Sequence, residues 1–181
     1  MKKAVLTVLL ILTLGGIAGA AQINGSLPFS FFNAGQNGAD IGSSTVFTDT
    51  NTLTSGAGAG DYSVVPIATD YGPLSLDLTT VAAGGGVMIT NATYGTFTAS
   101  FGEVIDHTAN FLDVYLTGTY TGLPGFMDTP SSFRIQFNQS GTSLSGAATL
   151  ASPPASIPEP ATLAFIGMGL VGLTLFRRKK A

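Results

Sequence analysis

From residue 111 to 121 the chain alternates, with Leu112, Val114, Leu116 and Tyr120 on one face and Asp113, Tyr115, Thr117 and Thr119 on the other. A period of two predicts a strand buried on one side. Residues 132–138 repeat the pattern, Phe133, Ile135 and Phe137 pointing inward and Arg134, Gln136 and Asn138 outward, so the two strands are expected to pair. Between them Gly122-Leu123-Pro124-Gly125 and Asp128-Thr129-Pro130 supply turn formers that reverse the chain. Further strands are expected at 62–67, 74–81, 87–93, 94–101 and 143–150, with shorter candidates at 29–32 and 45–48. Gly72-Pro73, Gly84-Gly85-Gly86 and Ser140-Gly141 separate them.

Few windows hold a helical period, and Thr, Ser, Gly, Phe and Val outweigh Lys, Glu and Leu, which favours pleated strands. Strands at this spacing predict an all-β body over residues 21–150, an antiparallel β-sandwich or jelly roll in preference to a barrel. The stretch 49–61, with Ser55-Gly56-Ala57-Gly58-Ala59-Gly60, is expected to be a flexible loop. Residues 151–160 hold four prolines without periodicity and are expected to form an extended tether.

The two ends break the strand pattern. Met1-Lys2-Lys3 is a basic start, 4–14 an apolar run, and Ala18-Gly19-Ala20 a small-x-small site, which predicts a signal peptide over 1–20 cut after Ala20. The run is too short to span a bilayer, and Gly15, Gly16 and Gly19 interrupt it. At the other end come Pro158-Glu159-Pro160, an uncharged apolar run over 161–176, and Arg177-Arg178-Lys179-Lys180 before Ala181. A Pro-bracketed acid cannot sit inside a helix, an uncharged apolar run suits hydrocarbon, and four adjacent cations resist passage across a bilayer. A single transmembrane helix over 161–176 is therefore expected, with 177–181 as a basic cytoplasmic tail. At about 1.5 Å per residue that run measures roughly 24 Å against a core of about 30 Å, a gap that snorkelling cations and bilayer thinning can bridge.

Charge sharpens the picture. The two ends hold Lys2, Lys3, Arg177, Arg178, Lys179 and Lys180, and removing these six bases alone moves the balance from 7 − 10 = −3 to 1 − 10 = −9, with Arg134 the remaining base. Such a body repels nucleic acid and anionic headgroups; cations or neutral glycans suit it better. The absence of cysteine excludes disulfides, thiolate nucleophiles and Cys-ligated zinc.

The order Pro158-Glu159-Pro160, apolar helix, Arg177 to Lys180 resembles the PEP-CTERM sorting signal of exported proteins in Gram-negative-type bacteria. That resemblance implies an exosortase, a membrane-embedded transpeptidase-like protease, as partner. Pro158, Glu159 and Pro160 would be its substrate residues and Arg177, Arg178, Lys179 and Lys180 the stop-transfer plug. Signal peptidase and the Sec machinery are expected to act at the other end, with the membrane as a transient anchorage. It further implies an extracellular-polysaccharide or biofilm setting for a non-enzymatic surface protein. Leu116-Thr117-Gly118-Thr119-Tyr120-Thr121 and Ser131–Gly141 look like parts of domains that precede this signal, which supports the fold and supplies no catalytic residue.

Other chemistry is thin, and no cofactor is expected. Gly167-Met168-Gly169-Leu170-Val171-Gly172 fits G-x-G-x-x-G, but no strand precedes it and no acid follows for a ribose. Glu103, Asp106, His107 and Asp113 form the densest polar cluster, a conceivable metal or acid–base site. Asp49-Thr50-Asn51 begins like a calcium loop, yet Leu53 and Thr54 stand where a ligand and the turn glycine belong. No G-x-S-x-G elbow supports a serine triad. The alternative to a plain surface protein is a glycan- or calcium-binding adhesive module, with Tyr62, Tyr71, Tyr94, Tyr115 and Tyr120 on a sheet surface.

Overall fold

The computed structural model describes residues 20–155; residues 1–19 of the expected signal peptide, the Pro-Glu-Pro motif, the 161–176 run and the basic tail lie outside them. The strands are β1 (Gly25–Phe32), β2 (Gly35–Gln36), β3 (Val46–Thr48), β4 (Asn51–Thr54), β5 (Ala59–Gly60), β6 (Ser75–Asp77), β7 (Met88–Asn91), β8 (Gly95–His107), β9 (Phe111–Thr121), β10 (Thr129–Ser140) and β11 (Ser143–Ser152). Every strand pairing is antiparallel. The expected pairing of 111–121 with 132–138 is present, with Leu116 opposite Phe133 and Leu112 opposite Phe137.

The all-β, antiparallel expectation holds, but the two facing sheets of a sandwich do not form. One eight-stranded sheet runs β4-β1-β11-β10-β9-β8-β7, with β5 beside β1, and it nearly closes into a barrel. Two features curl it. Strand β8 carries register shifts between Ala99 and Phe101 and between Val104 and Asp106, and such bulges bend a strand and raise its twist. The segment after Tyr62 then seams the two edges. Thr52 N–H donates to the Gly72 carbonyl at 2.8 Å and Tyr71 N–H to the Thr52 carbonyl at 2.9 Å, while Thr90 N–H of β7 donates to the Tyr71 carbonyl at 2.9 Å. Closure in this way satisfies edge groups that an open sheet would leave unpaired.

A second sheet, β2-β3-β6, packs at one end of the barrel. Its Phe47 stacks on Phe137 with ring centroids 5.1 Å apart, and Phe31 stacks on the same ring, also at 5.1 Å.

Several local expectations are corrected. Residues 62–67 are not a strand: Asp61–Val64 is a 3-10 helix that buries Tyr62 and Val65, three apart, and leaves Val64 exposed. The 74–81 strand shrinks to β6, because the Asp77 carboxylate accepts from Thr79 N–H at 2.8 Å and caps a 3-10 helix over Leu78–Ala83. That helix ends at Gly84, whose φ of +88° a side chain would disfavour. The expected loop 49–61 contains β4 and β5, with Thr52 and Thr54 buried. Thr129 and Pro130 open β10 instead of turning. The expected tether is shorter at its start, since Ala151 and Ser152 belong to β11.

Three tyrosines lie in the core, not on a sheet surface. Tyr62, Tyr71 and Tyr120 are fully buried, and Tyr115 nearly so. Tyr120 donates its single proton to the Tyr94 carbonyl at 2.6 Å, so the 2.8 Å contact between the Tyr71 and Tyr120 hydroxyls has Tyr71 as donor. By the same count Tyr62 donates to Ser152 Oγ, Ser152 to Ser131 Oγ, and Ser131 to the Thr129 carbonyl.

Burial pushes the Tyr62 and Tyr71 hydroxyls up to about 12, and pushes that of Tyr120 upward as well. A value raised on folding contributes stability that is full below the unfolded value of about 10 and is lost as pH rises through the folded value. The urea midpoint is therefore expected to fall between about pH 10 and about 12, with tyrosinate absorbance from these rings appearing together with unfolding. Their early ionisation in a folded domain, seen by ultraviolet titration beside circular dichroism, would contradict this.

Candidate functional site

The part of the domain that bears on the C-terminal segment is its exit point. Strand β11 runs between β10 and β1, with Ser152 opposite Gly25. The first and last strands of the domain are thus neighbours, and the chain enters and leaves at one end. Ser152 is 2 % exposed and held in the Tyr62–Ser152–Ser131 chain of hydroxyls, which fixes the last strand residue by side-chain bonds as well as ladder bonds. Beyond it, Ala155 N–H donates to Ser132 Oγ of β10 at 3.0 Å, and the Tyr115 hydroxyl of β9 donates to the Ala155 carbonyl.

Next to this crossing lies the one ion pair seen among the described residues. Arg134 Nε donates to Asp113 Oδ1 at 3.0 Å and Nη2 to Oδ2 at 2.6 Å, a fork-to-fork contact joining β10 and β9, and Gln136 Nε2 adds a third bond at 3.1 Å. Burial of Asp113 works against its charge, but the bonds from Arg134 and Gln136 and the guanidinium charge outweigh it and hold the carboxyl below the usual range. Arg134, Gln136, Ala147, Ala148 and Thr149 line a depression of about 70 Å³ beside the pair.

The Glu103–Asp113 cluster does not converge. Asp113 is committed to Arg134, while Glu103 and Asp106 are exposed on β8, opposite Tyr115 and Asp113. His107 donates from Nε2 to the Ile41 carbonyl at 2.7 Å, tying β8 to the 3-10 turn Ile41–Ser43. Among the described residues no group of three or more His, Cys, Asp or Glu side chains could hold a metal ion. The calcium-like stretch is likewise used internally. Asp49 is buried and accepts from Leu74 N–H at 2.6 Å and Thr52 Oγ1 at 2.9 Å, and burial pushes its carboxyl up. Asn51 Nδ2 donates to Asp70 Oδ2 at 2.6 Å. The sequence reasoning missed the roles of Ser132 and Tyr115; the two hydroxyls one strand apart carried the signal, and only the register brings them together.

Among the described residues no helix is long and apolar enough to cross a membrane; the 161–176 run is not among them. Ala18, Pro158, Glu159, Pro160, Arg177, Arg178, Lys179 and Lys180 likewise lie outside the described residues, while Ala20 is the first of them and is exposed.

The fold and the exit define a class: a single small antiparallel β-barrel-like domain whose last strand delivers the chain directly to a C-terminal segment. That segment, residues 156–180, matches the PEP-CTERM protein-sorting motif, so the chain carries that sorting signal. The motif marks an exported protein addressed to an exosortase, with a cell-surface or extracellular destination. No curated protein and no solved structure matches the chain.

Proposed function

We propose that the protein is a non-enzymatic cell-surface or extracellular-matrix protein that an exosortase processes at Pro158-Glu159-Pro160, in an exopolysaccharide or biofilm setting. The observation that carries this reading is the sorting motif over residues 156–180, which follows directly on Ala155, the last of the described residues and itself bonded to the domain. In this reading the Sec machinery translocates the chain, signal peptidase cuts after Ala20, the 161–176 helix lodges in the bilayer, and Arg177 to Lys180 stop transfer. The exosortase then severs the tail and frees or transfers the domain. Neighbouring first and last strands suit that sequence, because the domain leaves the membrane from one end.

The non-enzymatic part is supported by the dispersal of Glu103, Asp106, His107 and Asp113, each exposed or engaged in a structural bond. The tyrosine platform that motivated an adhesive glycan site has lost Tyr62, Tyr71 and Tyr120 to the core.

Glu159→Ala, expressed beside its parent in the native host, is expected to retain its tail and fail to reach the surface. Intact mass and surface fractionation read both. Equal tail removal and equal surface arrival would reject the motif's role.

A further inference from the structure

Three strands of the outer face form a shallow trough. The register places Tyr115, Arg134, Thr149 and Pro28 in one row across β9, β10, β11 and β1, and Asp113, Gln136, Ala147 and Ser30 in the next. The outward side chains of β11 are short, Ser145, Ala147 and Thr149, while those opposite them on β10 are long, Asn138, Gln136 and Arg134. Arg134 and Gln136 thus stand beside a low strip, and with Ala147, Ala148 and Thr149 they line the depression of about 70 Å³. Its polar groups are fixed and only partly used. Of the five N–H protons of Arg134, two go to Asp113, and among the described residues no acceptor takes the other three. Gln136 gives one proton to Asp113, and its Oε1 accepts from no donor among the described residues. The Asp113 side chain is 5 % exposed and that of Arg134 43 %, so a buried carboxylate holds an exposed donor fork and an amide in one orientation.

On the far bank, β1 turns Phe29 and Phe31 inward and Ser30 and Phe32 outward. Phe32 is 58 % exposed, an aromatic ring on a face of otherwise short side chains and with no part in the core. Two strand spacings, about 10 Å, and two residues along the strand, about 7 Å, separate it from Gln136. We propose that the outer face of β10, β11 and β1 binds a neutral polysaccharide, with Arg134 and Gln136 holding the hydroxyls of one sugar over the depression and Phe32 packing on the ring of another. Neutrality follows from the charges. Asp113 cancels the charge of Arg134, and Glu103 and Asp106 continue the same two rows onto β8, so an acidic sugar is repelled. A neutral ring is complementary: adjacent hydroxyls donate to Gln136 Oε1 and accept from the free N–H groups of Arg134 and Gln136, while its C–H face packs on Ala147 or Phe32. Groups already held by Asp113 lose little freedom on binding. The inference rests on the surface-protein reading only for where such a polysaccharide is met.

The test uses the full chain, purified in micelles of a zwitterionic detergent that carries no sugar headgroup. It is titrated calorimetrically with cellohexaose, mannohexaose and xylohexaose, and with hexagalacturonate as the acidic counterpart. At least one neutral hexasaccharide is expected to bind with a Kd of about 1 mM or below, and hexagalacturonate about tenfold more weakly or not at all. Gln136→Ala and Phe32→Ala should each weaken the neutral sugar about five- to tenfold while circular dichroism stays unchanged. Phe32 is exposed, so its variant keeps the test open if Gln136→Ala does not fold. No heat from any of the three neutral sugars up to about 10 mM overturns the proposal. Binding that both substitutions leave unchanged places the sugar elsewhere and overturns it too, as does hexagalacturonate binding as tightly as the neutral sugars. If Glu159→Ala leaves tail removal intact, the exosortase reading fails, while the calorimetry still reports the sugar site.

Discussion

Gly118→Ala is expected to destabilise the domain by about 3 kcal/mol, within the range of a buried overpacking change plus broken ladder bonds. A Cβ built on Gly118 would stand 2.0 Å from the Thr98 carbonyl oxygen and 2.8 Å from Ala99 Cα. Both are backbone atoms of β8, so no side chain can move aside. Gly118 is opposite Ala99, at the register shift where Ser100 is the extra residue. Strand β8 presses closest onto β9 at this bend, and the bend is what turns a flat sheet toward closure. The added methyl would force the two strands apart where the curvature is made. Urea unfolding measures the effect as a lower midpoint. A change within about 0.5 kcal/mol, the level of an ordinary surface substitution such as Thr142→Ala, would contradict the close approach.

Phe133→Ala is expected to cost about 3–5 kcal/mol, the usual range for emptying a large aromatic site. Phe133 is fully buried on β10, opposite Leu116 on β9 and Leu150 on β11. Phe29 meets its ring edge-on at 5.6 Å and Phe97 at a tilt at 5.4 Å, so the ring joins β1, β8 and β10 across the barrel interior. The strands around it are fixed by their own ladders and cannot collapse into the space. Against a typical total of about 5–15 kcal/mol, this loss leaves a marginal domain. The check is the urea midpoint with an unchanged slope. A loss under about 1 kcal/mol would mean that the interior refills, contrary to the packing described.

What was legible followed from period two. Strands β9 and β10 stood out because Leu112, Val114, Leu116, Phe133, Ile135 and Phe137 alternate with polar residues, and all six are buried. Strand β4 was hidden because its inward residues, Thr52 and Thr54, are polar; they are buried through hydrogen bonds to Asp49 and to the Pro66 carbonyl. Residues 62–67 misled in the opposite direction, since Tyr, Val and Ile favour strands by composition. The spacing of three between Tyr62 and Val65 was the available signal for a 3-10 turn. The tyrosines could not be sorted into core and surface without knowing which hydroxyls find a buried partner.

By itself the sequence determined the all-β class, the long central strands and the sorting segment. Each depends on neighbours in the chain: alternation sets which face is apolar, and the order of proline, apolar run and cations needs no folding to be read. Tertiary structure alone decided that the sheet curls into a barrel-like shape, that β1 lies beside β11, that Tyr62, Tyr71 and Tyr120 face inward, and that Ala155 is pinned by Ser132 and Tyr115. Those outcomes join residues far apart in the chain, where the geometry of closure, and not any local preference, selects the partner.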